Sequence, residues 1–143
     1  MTTSETKLSP EGSESPLYYI SFERLAELNR SAIAMLAARR GPSAPSRLKA
    51  DHELDDPQEL VAEIAEYGAH DQDFIRHDMP LQEIVFRILL ARRNQPTTLR
   101  DLHYELTERW ATPIRPINVT EHGLRRILDD DTYYGFSRED SPA

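Results

Sequence analysis

Three residues on one short segment, His122, Arg125 and Arg126, are the part of this chain best suited to recognition chemistry. His122 precedes the two arginines by three and four positions, so on a helix all three project from the face opposite Leu124 and Leu128. Two guanidiniums side by side can bond a phosphate or the acceptor edge of a guanine. Equally, they can do no more than solvate an exposed helix face. Arg100 and Arg115 supply further cations for phosphates on the first reading. A second group, Tyr133-Tyr134-Gly135-Phe136, offers rings that stack on bases. Its alternative role is an edge strand whose inner aromatics close a core and whose outer edge is open to a partner's strand.

The remaining chemistry is thin. His52, His70, His77, His103 and His122 show no His-x-x-x-His or Glu-x-x-His pattern with a third ligand, so structural roles are expected for them, with no metal and no other cofactor. There is no Gly-rich phosphate loop and no Gly-x-Ser-x-Gly elbow, and the carboxylates fall mainly on polar helix faces. The sequence therefore points to a protein that is not an enzyme. The absence of cysteine from 143 residues excludes disulfides and thiolate metal sites. No stretch approaches the run of about 18 apolar residues that spans a membrane, and the N-terminus has no apolar signal core. A soluble, cytoplasmic protein is expected.

A net charge of −8 opposes nonspecific nucleic-acid binding by the whole surface. The charge is unevenly spread: residues 1–79 hold 8 Lys/Arg against 15 Asp/Glu, whereas residues 80–138 hold 9 Arg, and no Lys, against 8 Asp/Glu. Arginine suits bidentate contacts to phosphate or carboxylate. Against this, the run Asp129-Asp130-Asp131 directly follows the basic helix, where it is expected to repel phosphates.

The elements that position these groups follow from periodicity. Past Met1, residues 1–16 are rich in Ser, Thr, Glu and Pro with one large apolar residue, Leu8, and are expected to form a disordered tail. Phe22, Leu25, Leu28, Ala32, Met35 and Leu36 predict one helix over 22–39, capped by Ser21, which packs back on the domain or pairs with a second copy. Residues 41–56, with Pro42 and Pro45, read as a linker. Asp56-Pro57-Gln58-Glu59 starts a helix that Gly68 ends, and Phe74-Ile75 should tuck inward from the loop over 69–79. Leu81, Ile84, Val85, Ile88 and Leu89 give a strongly amphipathic helix ending at Arg92-Arg93-Asn94. Thr98 caps a second helix with Leu102, Leu106 and Trp110 on one face. Pro113 and Pro116 force an extended connection, and Asn118 or Thr120 caps the third helix.

Three helices closing on a short aromatic strand, from residue 80 to 137, resemble a winged-helix domain. The long connection between the second and third helices is also similar to the winged-helix type in the delta subunit of bacterial RNA polymerase. The fold expected is thus mainly α: a winged-helix-like three-helix core over residues 80–138 with a short C-terminal β element, preceded by N-terminal helices over 17–79 and followed by a tail over 139–143. Too little chain follows Tyr133 for a full two-stranded wing. The resemblance implies transcription-associated binding, and the residues themselves suggest that double-stranded DNA is bound through His122, Arg125 and Arg126, with Arg100 and Arg115 on phosphates. The alternative is a protein-interaction adaptor using the acidic N-terminal half and Tyr133, Tyr134 and Phe136.

Overall fold

The computed structural model describes residues 15–139; nearly all of the expected tail over 1–16, and residues 140–143, lie outside them. Among the described residues the protein is mainly helical, with one three-stranded antiparallel sheet. Its centre is helix α4 (Leu81–Ala91), in which Ile84, Val85, Phe86, Ile88, Leu89 and Leu90 are all buried. A helix apolar on nearly every side can satisfy that surface only by being enclosed.

The sheet that covers it draws on both ends of the chain. Strand β1 (Leu17–Ile20) lies between β2 (Thr97–Thr98) and β3 (Phe136–Glu139), pairing Tyr18 with Thr97 on one side and Ile20 with Phe136 on the other. A second strand for the C-terminal one therefore exists, but it comes from the N-terminal side. The alternation Leu17, Tyr18, Tyr19, Ile20 puts Tyr18 and Ile20 into the core, each 1% exposed. The side-chain amide of Asn94, just past α4, accepts from the Ile20 N–H and donates to its carbonyl, both at 2.8 Å, and so extends the pairing of β1.

The single helix expected over 22–39 is two: α1 (Phe22–Glu27) and α2 (Ala32–Ala37). Asn29 takes the left-handed conformation at φ 61°, and the Arg30 N–H closes the first helix on Leu25 O at 2.8 Å. Ser31 then caps the second by accepting from Ala34 N at 3.0 Å. Asn is the commonest non-glycine residue at such a stop and Ser a strong helix start, so Asn29-Arg30-Ser31 overrides an unbroken apolar period. Leu25, Met35 and Leu36 are buried in the common core, so this segment packs back on its own chain.

The connector over 41–56 is pinned. Ser46 donates from both N and Oγ to Glu63 Oε2 at 2.8 Å, and the Arg40 guanidinium bonds the carbonyls of Ser46 and Lys49. Asp56 caps α3 (Pro57–Glu63) as expected; Phe74 and Ile75 do turn inward, 5% and 7% exposed. Thr98 caps α5 (Leu99–Tyr104), and Thr120 caps α6 (Glu121–Asp129). Helices α3 and α5 each run on into a wider five-residue turn, Ile64–Gly68 and Glu105–Arg109.

The aromatic run Tyr133-Tyr134-Gly135-Phe136 is not the strand expected of it. Tyr133 and Tyr134 lie in a turn, and β3 begins only at Phe136. The cause is Asp131, 9% exposed. Its carboxylate accepts from the backbone N–H groups of Tyr133, Tyr134, Gly135 and Phe136 at 2.9 to 3.3 Å. Gly135 sits at φ 79°, where a Cβ would lie 2.7 Å from Leu25 Cγ, so only glycine fits the turn.

One buried carboxylate ties these layers together. Glu83 on α4 accepts from Arg39 Nε and Nη2 at 2.9 and 2.8 Å, from Arg87 Nε at 2.7 Å and from Tyr134 Oη at 3.0 Å. Burial pushes its pKa up, but the bonds and charges of Arg39 and Arg87 outweigh it and hold the carboxyl at about 2. Because the folded value lies below the unfolded one, the associated stability is complete at neutral pH and is lost as pH falls through the range from about 5 to 2. It amounts to on the order of 3 kcal/mol. Urea unfolding across this pH range should show the loss. Glu83→Gln should cost about 3 kcal/mol at pH 7, because two guanidiniums are left without their counter-ion, and should flatten the acid slope. A variant with the wild-type midpoint and the wild-type slope would show that Glu83 is not the tie.

Candidate functional site

Helix α6 presents the residues picked out from the sequence. The Thr120 hydroxyl accepts from Gly123 N at 2.9 Å, Leu124 and Leu128 face the core, and the helix packs against α5 and β3. His103 on α5 holds the chain entering it, with Nε2 at 2.6 Å from Val119 O. His122, Arg125 and Arg126 are all exposed, so the structure brings the three together on one face. Glu121 and Asp129 are exposed on the same helix, and Asp130 just past its end, so carboxylates stand beside the guanidiniums on this surface.

Asp129 is the organising group here. Its Oδ1 accepts from Tyr18 Oη at 2.7 Å, while Oδ2 lies 3.7 Å from Arg125 Nε and 3.6 Å from Arg138 Nη1. Burial, reinforced by the Asp129 carboxylate, raises the Tyr18 phenol well above its ordinary range. The bond is thus that of a neutral phenol donating to a carboxylate at any ordinary pH, and it fastens the end of α6 to β1. The acidic run after α6 has structural work: Asp129 binds Tyr18, and Asp131 shapes the next turn.

Arg100 and Arg115 stand on other elements. Arg100 is exposed in the first turn of α5, with its backbone N–H donating to Ser15 Oγ at 3.2 Å. Arg115 is exposed in the connection before α6; the Asp78 carboxyl is held below the usual range by its bond from Arg76, with a smaller pull from Arg115. Of the three rings expected to meet a partner, Phe136 is buried. Tyr134 packs at a tilt against Phe86 and stacks on Phe136, at centroid distances of 5.3 and 5.4 Å. Burial and the neighbouring Glu83 charge push its phenol up to about 12. Tyr133 alone is well exposed, at 42%, with the Arg30 guanidinium 3.8 Å over its ring.

Sequence reasoning missed an apolar groove beside α6. Met79, Leu81, Ile84, Ile117, Val119 and Ile127 wall a cleft of about 390 Å³ that Arg115 and His77 border. Ile114, on the adjoining connection, is 95% exposed. The signal was there: Ile114, Ile117 and Val119 are three β-branched apolar residues in a proline-bounded segment with no helical period to bury them. Among the described residues no group of His, Asp and Glu side chains is suited to hold a metal ion, and no helix is long and apolar enough to cross a membrane. No family model, no curated protein and no solved structure matches this chain, so any functional reading rests on its own residues and their geometry.

Proposed function

We propose that this chain is a non-catalytic, winged-helix-like module that docks a protein partner in the groove beside α6. The winged-helix reading is supported by the order of elements: α4, α5 and α6 with β2 before the second helix and β3 after the third. The N-terminal β1 completes the sheet. The observation that carries the docking reading is the groove itself, with the bare side chain of Ile114 next to it. Contiguous apolar surface rimmed by polar groups is costly to leave in water and is the usual mark of a binding face. Electrostatics favour a protein over nucleic acid here, since Glu121, Asp129 and Asp130 share the outer surface of α6 with Arg125 and Arg126, and Arg125 already faces Asp129.

A photo-crosslinking residue placed at Ile114 in cells should yield covalent protein adducts, whereas one at the exposed Gln58 should not. Equal labelling from both positions, or none from Ile114, would sink the docking reading.

A second reading keeps double-stranded DNA as the ligand of α6. Its support is that His122 and Arg126 are exposed and form no ion pair among the described residues. If this reading holds, binding to mixed duplexes should fall with salt at a log–log slope of roughly −3.6, for about four phosphate contacts. Replacing Arg125 and Arg126 together by Ala should abolish it. Absence of binding at low salt removes DNA as the ligand.

A further inference from the structure

A separate cavity of about 540 Å³ opens between the loop after α3 and the end of α5, away from the residues of the groove. Both helices that lead into it finish in widened turns: the Ala69 N–H bonds Ile64 O at 2.9 Å, and the Trp110 N–H bonds Glu105 O at 3.1 Å, each across five residues. Such wide turns are rare in helices and are frequently found at functional sites. Here they deliver His70 and Asp71 to one wall of the cavity and Glu105, Arg109 and Trp110 to the other, over a floor that includes Phe74, Ile75 and Ile88.

The charges in the cavity are unequally held. Glu105, 16% exposed on its side chain, takes a firm bond from Arg92 at 3.0 Å. Arg109 stands 3.5 Å from the same carboxylate and is 67% exposed, so it is a loosely held cation. Its guanidinium lies 5.1 Å from the centroid of the Trp110 ring. The cavity thus sets an exposed guanidinium and an indole ring beside the apolar side chains of Phe74, Ile75 and Ile88, the pairing of charge and ring that a small anionic aromatic needs.

We propose that this cavity binds a small aromatic carboxylate, its ring against Trp110 and its charge on the Arg109 guanidinium. A flat ring matches the indole and the apolar floor, and a carboxylate matches the planar fork of arginine. The assignment is independent of the docking groove, because the two share no lining residue.

Trp110 is the sole tryptophan, so its emission reports on this wall alone. Titrating the full chain with benzoate should give a saturable change in that emission. Benzamide, the same ring without the charge, should bind at least about tenfold more weakly. Arg109→Gln, at an exposed position, should keep the wild-type circular dichroism and lose about tenfold in benzoate affinity. No saturable change with benzoate, equal affinity for benzamide, or unaltered binding by Arg109→Gln would each overturn the proposal.

Discussion

The four hydrogen bonds converging on the Glu83 carboxylate are the constraint on which the packing of this protein turns. They come from α2's end, from α4 itself and from the turn before β3, so one side chain on the central helix fixes the N-terminal helices and the C-terminal turn at once. A carboxylate 12% exposed cannot stand alone in a core that otherwise holds Phe86, Leu89 and Leu90; with one charge against two guanidiniums and a phenol, its desolvation is offset.

The same device recurs on a smaller scale at Asp129 and Asp131. Each is a carboxylate used inward, one against Tyr18 and the other against four backbone N–H groups. Together with Asn94 on Ile20, they explain how strands two and four residues long hold a register: side chains bond the central strand and the turn into β3 where the backbone ladder is short. Much of the acidity in the C-terminal part is therefore structural, which lowers the expectation that charge alone reveals the ligand.

Around this frame the surface divides by element. The Pro-bounded connection before α6 leaves apolar side chains at the groove, while the widened ends after α3 and α5 line the charged cavity. Both sites lie where a regular element stops. Loops and helix ends are free of the ladder bonds that fix side-chain direction elsewhere, and they carry recognition on a rigid core.

Local signals set the capped starts of α1, α3, α5 and α6, the existence of α4, the inward turn of Phe74-Ile75 and the shared exposure of His122, Arg125 and Arg126; that α4 is enclosed and not merely amphipathic was decided by packing. Each depends on residues within a turn or two of one another, through caps and apolar spacing. The break at Asn29 was equally local and was legible in Asn29-Arg30-Ser31, though the apolar period masked it. Only the tertiary structure decided that β1 joins the C-terminal strand, that Glu83 meets Arg39 and Tyr134, that Asp131 bends the aromatic run out of the sheet, and that Ile117 and Ile127 share a groove. These pairings span tens of residues, and a carboxylate in a sequence carries no mark of whether it will face water or a buried guanidinium. That choice is made by the burial of its neighbours, which exists only once the chain has closed on itself.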